Sequence, residues 1–335
     1  MNNTLSTKKK LPIGIAVAVV VLALPFILQL IAGNDYSVMI CCIILVYVIA
    51  VSGLDILFGY SGQISLGHAA FFVIGAYTSG LLNNYFNTPL WLTIPAGALL
   101  ATGIGALLAW PASKLKFHFL SLATVAFGEI VYYFLYVSPK IGDSSIGFTN
   151  DYMGINVINI PFLDNYTKWY FFLLFFVVIF LLAKQSLIHS RTGRAFMAIR
   201  ENTNAANGMG VNVRKNKIIA FAVSAFYTGF AGAVYVHLIR YIAPATAQQK
   251  QSVLFLTMLL FGGTGSLVGP IIGVIFIELL LELIRPLQEY QMLLYGILLL
   301  IVIVALPGGL YGGVKDAIVS LKRRKETAKL AKSDQ

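Results

Sequence analysis

Apolar stretches of about twenty residues recur along this chain, separated by short polar turns, and no other feature constrains its fold as strongly. A helix needs roughly 20 mostly apolar residues to cross the hydrocarbon of a bilayer. Candidates lie at 12–33, 38–58, 68–83, 90–112, 119–137, 169–188, 218–240, 252–263, 266–284 and 291–306. Only 11% of the 335 residues are charged and 58% are hydrophobic, whereas a soluble domain is about 25% charged. A water-soluble enzyme, a disordered chain and a disulfide scaffold are thereby excluded. Long apolar blocks with thirty glycines fit close-packed helices better than the weak alternation of a β-barrel. The expected fold class is an all-α polytopic membrane protein with about ten transmembrane segments, some of them short or broken. Segment 252–263 is short for a span and 68–83 follows a Gly-rich entry, so either reads as a half-helix or a re-entrant piece. The first block follows Lys8, Lys9 and Lys10 but lacks an A-x-A-like site at its end, and reads as an uncleaved span.

The formal charge is +11. In a soluble protein that excess would point to nucleic acid; in a membrane protein it reports sidedness, because basic loops stay cytoplasmic. With ten crossings, nineteen of the 24 Lys and Arg residues share a side with both termini, and Lys140, Lys168, Arg240, Lys250 and Arg285 lie opposite. Both termini are therefore expected in the cytoplasm. The resulting division is an N-terminal tail at 1–11, a membrane domain at 12–313 and a basic tail at 314–335. The membrane domain carries an outer loop at 138–168 and a cytoplasmic loop at 189–217. The latter, SRTGRAFMAIRENTNAANGMGVNVRKNK from Ser190, places Ala195, Ala198, Ile199 and Thr203 at helical spacing, so a short surface helix is expected within Thr192–Gly210.

Two stretches share a pattern: LFGYSGQISLGHAAFFVIGAY at 57–77 and LFGGTGSLVGPIIGVIF at 260–276. In each, an apolar helix ends in Leu-Phe-Gly, a Gly/Ser/Thr turn follows, and a second apolar helix begins. Broken helices at corresponding places in two halves point to a transport pathway. The polar groups beside these breaks, Gln63, Ser65, His68, Thr264 and Ser266, are the candidates for lining it; the alternative is that they satisfy helix ends. Gly265, Gly269 and Gly273 form one small-residue stripe and Ala225, Gly229 and Ala233 another, both read as interhelical seams.

Charges within the apolar blocks are few. Asp55, Glu129, Glu278 and Glu282 are the acids, and Glu282 has Arg285 at i+3. An ion-coupled secondary carrier or channel working without an ATPase would rest on Glu129, Glu278 and Glu282. The four histidines have no metal spacing. No phosphate-binding loop, nucleophile elbow or zinc-protease motif occurs, so no catalytic set, metal or cofactor is expected. The adjacent Cys41 and Cys42 read as packed small hydrophobes.

Four motifs, in order, resemble the inner-membrane permeases of branched-chain amino acid ABC importers: LFGYSGQISLGHAAFFVIGAYTSGLL (57–82), the loop and span at 190–235, LFGGTGSLVGPIIG (260–273) and ALPGGLYG (305–312). Together they cover about residues 36–313. ATVAFGEIVYYFLY at 123–136, followed by a Gly/Ser loop, resembles the M-type subunit. Three positions depart from the pattern. Tyr132 stands where Arg is usual, the outer loop reads GDSSIGFTN, and Asn207 replaces a common acid. The resemblance implies a transport subunit, not an enzyme, that moves branched-chain amino acids or related small polar solutes by alternating access. ATP hydrolysis would belong to a separate chain. The implied partners are a sister permease in a heterodimer, two ATP-binding cassette ATPase subunits and an extracytoplasmic substrate-binding protein. The implied location is the bacterial inner membrane, among lipid and away from nucleic acid. The helix of the cytoplasmic loop would contact the ATPase, with Arg194, Arg200, Glu201, Ala205, Ala206 and Gly210 as candidate contacts.

Overall fold

A computed structural model of the protein describes residues 22–27, 29–30, 35–114, 117–137 and 165–285, with positions 290, 293, 296–297, 300, 309–310 and 312. The expected spans 12–33 and 291–306, the outer loop and both tails lie wholly or largely outside these residues.

The apolar blocks are helices, and no strand occurs among the described residues. In chain order they are α1 (Tyr36–Asp55), which widens into a π-turn at Ile56–Tyr60, α2 (His68–Phe86), α3 (Leu90–Ala112), α4 (Phe117–Val137) and α5 (Tyr166–His189). Two short helices follow, α6 (Arg191–Glu201) and α7 (Thr203–Gly208). Then come α8 (Val213–Ile239), a 3₁₀ turn at Pro244–Ala247, α9 (Gln249–Gly262) and α10 (Gly269–Ile284). Among the described residues, five stretches are long and apolar enough to cross a membrane: Tyr36–Tyr60, Leu90–Ala112, Phe119–Val137, Tyr166–His189 and Val213–Ile239. Their outward faces carry exposed large apolar side chains, among them Trp91, Leu107, Leu122, Phe134, Phe175 and Leu182. In water such a surface would drive association; in hydrocarbon it is the expected coat. The chain is a multi-pass membrane protein.

Helix α8 is the hub. It packs against α1, α2 and α3, and small residues set the approach. A Cβ at Gly75 would overlap the Gly229 carbonyl, one at Gly232 the Phe72 carbonyl, and one at Gly105 the Cβ of Ala225. The Ala225/Gly229/Ala233 stripe is thus a seam, as expected: backbones meet where side chains would keep them apart. The second stripe divides. Gly269 and Gly273 seat α10 against α9, whereas Gly265 lies in the preceding turn with φ +70°. Tyr47, Phe72, Tyr235 and Phe255 bring rings of α1, α2, α8 and α9 together, with centroid separations of 5.2 Å for Phe72–Tyr235 and 5.4 Å for Tyr47–Phe255.

The two ambiguous segments resolve differently. Segment 68–83 belongs to an unbroken 19-residue helix. Helix α9 has 14 residues, about 21 Å at 1.5 Å per residue, short of a roughly 30 Å hydrocarbon layer. It starts level with the middle of α1, where Gln251 Nε2 donates to the Tyr47 hydroxyl at 3.3 Å. It ends beside the turn after α1, so it is a half-length helix.

The segment expected as one surface helix is two. Ser190 caps α6 by accepting from the Gly193 amide at 3.2 Å. Asn202, extended at φ −156°, ends α6 and caps α7, accepting from the amides of Asn204 and Ala205 at 3.0 Å each. The Asn202 side chain supplies the turn with its own backbone-like acceptor and so breaks the helix there. Gly210, at φ +83°, ends the unit.

Candidate functional site

The turns after α1 and α9 form two elbows, residues 57–67 and 263–268, and they meet. A Cβ at Gly59 would overlap Asp55 Oδ1 and the Gly265 amide; only glycine lets the elbows come this close. Asp55, one helical turn before its own elbow, reaches across to the other. Its Oδ1 accepts from the Gly265 amide at 2.7 Å, and its Oδ2 takes Lys184 Nζ of α5 at 2.7 Å. Both side chains are wholly buried. Lys184 also donates to the Ser266 carbonyl at 3.2 Å and lies over the Tyr60 ring, 5.8 Å from its centroid. A charge buried in low dielectric is retained only when paired and hydrogen-bonded, and here both conditions hold.

From the end of the bundle that carries α6 and α7, Arg200 reaches into the same junction, and its Nη1 donates to the Gly59 carbonyl. Gly62, at φ +68°, gives its open face to the Arg200 stem. Beside this contact lies a cleft of about 780 Å³, lined by Phe58, Ser61, Gly62 and Gln63 of the first elbow and Leu260 and Thr264 at the second. Ile199, Arg200, Thr203 and Asn204 line it from the surface helices, and Ser113, Lys114, Leu120, Val213 and Lys217 complete the wall. A smaller cleft of about 590 Å³ adjoins it, lined in part by Asn207, Gly210 and Arg214.

The five candidate pathway residues separate. Gln63 and Thr264 line the cleft; Gln63 Nε2 also donates to Ser61 Oγ at 2.6 Å. The other three are held in internal hydrogen bonds. His68 is 1% exposed, with Nδ1 2.8 Å from Ser65 Oγ and Nε2 2.7 Å from Ser224 Oγ. Ser266 Oγ accepts from the Gly269 amide at 2.8 Å, satisfying the start of α10. The start of α2 is satisfied likewise by hydroxyls from distant helices: Thr124 Oγ1 accepts from the Leu66 amide at 3.1 Å and Ser252 Oγ from the Ala69 amide at 2.9 Å.

The six candidate coupling residues lie on α6, on α7 or just beyond. Ala206 is buried, 3% exposed, whereas Arg194, Glu201, Ala205 and Gly210 are exposed. Arg194 Nη1 donates to the His189 carbonyl at 3.0 Å. Arg200 is exposed as a whole, but its stem faces Gly62 and its tip is anchored. Phe196 and Ile199 hold α6 to the bundle, at 1% and 3% exposure. At the opposite end, Glu282 pairs with Arg285 at 3.4 Å, as its i+3 spacing suggests, and accepts from the Tyr36 hydroxyl at 2.9 Å.

Sequence reading missed the Asp55–Lys184 pair. Asp55 was legible as an intramembrane acid, while Lys184 was counted among loop charges although it falls inside the apolar block 169–188. A lone cation in an apolar block calls for a buried partner, and that was the available signal.

The sequence profile of the family described as "Branched-chain amino acid transport system / permease component" matches residues 36–303. Among curated proteins, the chain is 30% identical over 333 residues to the high-affinity branched-chain amino acid transport system permease protein LivM of Escherichia coli (strain K12), covering 91% of this chain and 76% of that one. It is 24% identical over 318 residues to the probable branched-chain amino acid transport permease protein LivM of Methanocaldococcus jannaschii, covering 79% and 90%. Against the corresponding LivH permease of Escherichia coli (strain K12) it is 24% identical over 287 residues, covering 79% and 91%. No solved structure matches the chain. Matched over most of its length, and most strongly here to an M-type relative, the chain belongs to the family of permease components of branched-chain amino acid transport systems.

Proposed function

We propose that the chain is the M-type transmembrane subunit of an ATP-driven importer that moves branched-chain amino acids into a bacterial cell by alternating access. The observation that carries this reading is the α6–α7 unit. It is held in shape by the side-chain caps Ser190 and Asn202, ends where Asn212 caps α8, and is seated on the elbows through Arg200. Its other face is open, with Glu201 and Ala205 exposed and Met209 87% exposed. A helix pair stiffened at both ends, fixed to the gate region on one face and bare on the other, suits transmission of force from a soluble partner. In this reading the partner is one of two ATP-binding cassette subunits, and Arg194, Glu201, Ala205 and Gly210 offer it contacts. The chain would pair with a sister permease and receive substrate from an extracytoplasmic binding protein.

The domain membrane 12–313 then crosses about ten times, with both termini and the 189–217 loop cytoplasmic, following the asymmetry of basic residues. Gln63 and Thr264 line the inner vestibule, while Ser65, His68 and Ser266 shape the elbows that bound it. Hydrolysis of ATP belongs to the partner chain, and this subunit is the conduit.

The decisive experiment is uptake into vesicles that hold this chain with its sister permease and ATPases, with binding protein outside. Radiolabelled leucine, isoleucine or valine is expected to accumulate only with ATP within. Accumulation driven by a proton or sodium gradient, with no nucleotide, would overturn the reading in favour of a secondary carrier.

A further inference from the structure

Lys184 and Arg200 belong to consecutive helices joined only by Ser190, where the backbone turns extended at ψ 175°. They reach the same pair of elbows by different means. Lys184, fully buried, holds the second elbow through Asp55 and the Ser266 carbonyl. Asp55 completes that hold by accepting from the Gly265 amide. Separating the pair would strand a charge without a partner in low dielectric, so this contact resists opening. Arg200 instead makes one hydrogen bond to a neutral carbonyl, that of Gly59, at the edge of a cleft open to solvent. A charged donor makes this a firm bond, yet moving it strands no buried charge, so this contact can shift with its helix. Lys184 ties the second elbow to α5 and touches the first only through the Tyr60 ring, whereas the hydrogen bond from α6 goes to the first elbow, with an extended residue between the two helices.

Resting on the functional reading above, we propose that Asp55–Lys184 is the pivot and Arg200 the lever of this subunit. Rotation of α6–α7 about Ser190 pulls the Gly59 carbonyl, moves the 57–67 elbow against the 263–268 elbow, and changes the cleft bounded by Gln63 and Thr264. Arg200 is on this account a positioning residue that acts on the elbow, and contact with the ATPase falls to its exposed neighbours.

The test uses the full complex in vesicles with leucine as substrate. Arg200→Met keeps the apolar stem that packs on Gly62 and removes the donor. The complex is expected to assemble at parental yield and to hydrolyse ATP within about two-fold of the parent, while leucine imported per ATP falls at least about ten-fold; Arg200→Lys recovers part of the loss. A second readout follows the elbows directly. Spin labels at Ile64 and Val268, with Cys41 and Cys42 replaced by alanine, are expected to change separation between nucleotide-free and ATP-trapped states in the parent and not in Arg200→Met. Unchanged import per ATP in Arg200→Met would overturn the lever. So would loss of assembly and hydrolysis in step with import, or an elbow separation that responds to nucleotide equally with and without Arg200. A parent complex with no ATP-dependent uptake would instead overturn the functional reading on which the lever rests.

Discussion

At the scale of single residues, the Asp55–Lys184 pair places two opposite charges 2.7 Å apart in the interior. Each partner is buried completely, and together they satisfy an amide and a carbonyl of the second elbow. Lys184→Met strands the Asp55 carboxylate, and a stranded buried charge costs about 3–5 kcal/mol. The expected outcome is a lower midpoint of thermal unfolding in detergent. Asp55→Asn combined with Lys184→Met removes both charges but keeps an oxygen facing the Gly265 amide. The double variant is expected to regain more than half of the loss. A double variant no more stable than Lys184→Met alone would show that the stranded carboxylate is not the source of the loss. His68 teaches the same lesson from the other direction. Its type and its place beside a break suggested a pathway residue, yet Ser65 and Ser224 occupy both ring nitrogens.

At the scale of elements, glycines decide how closely helices approach. At Gly232 on α8 a side chain would run into the Phe72 carbonyl. Gly232→Ala is expected to destabilise by about 1–3 kcal/mol, the usual cost of overpacking. Gly103 on α3 has nothing within 4 Å of an added Cβ. Gly103→Ala is expected to be neutral or to stabilise by about 0.5–1 kcal/mol, since alanine loses less backbone entropy in a helix. Thermal unfolding of the two variants side by side checks the contrast. The surface helices allow a parallel distinction. Ala205 is exposed and Ala206 is buried. Ala205→Trp is expected to leave the unfolding midpoint within about a degree of the parent and to abolish copurification of the ATPase. Ala206→Trp lowers the midpoint itself. If Ala205→Trp still captures the ATPase, this face of α7 is not the docking face.

At the scale of the whole molecule, the elbows and the α6–α7 unit share one end of the bundle, and Tyr85, 65% exposed, lies near the other, where α2 ends. The reading that places α6–α7 in the cytoplasm predicts a sidedness. A membrane-impermeant thiol reagent applied to intact cells, in a background with Cys41 and Cys42 replaced, is expected to label Tyr85→Cys. It labels Asn207→Cys only after the membrane is permeabilised. The reverse pattern would invert the topology. Lys184 adjusts the charge census on which that topology rests. It is an internal charge, not a loop charge, and the bias survives because the remaining basic residues of the surface unit lie on α6 or at the start of α8.

Membrane class, the helix positions among the described residues and the presence of a structured surface unit were legible in the sequence alone. Hydrocarbon imposes a local rule: each crossing needs an apolar run long enough to satisfy its own backbone. The block Leu90–Ala112 was therefore placed to the residue. Caps and glycines are local too, so the loop from Ser190 to Gly210 could be recognised as more than a linker, although the cap that splits it at Asn202 was not foreseen. Only the tertiary structure decided which polar groups would meet. Asp55 and Lys184 are 129 positions apart, and Gly59 and Arg200 are 141 apart. No spacing rule links residues so far apart; their meeting follows from how α8 gathers its neighbours and how glycine lets two elbows touch. The division of the pathway candidates into Gln63 and Thr264 at the cleft and Ser65, His68 and Ser266 within the scaffold has the same origin. A hydroxyl or imidazole beside a helix break can face either a solute or a helix end, and packing alone selects between them.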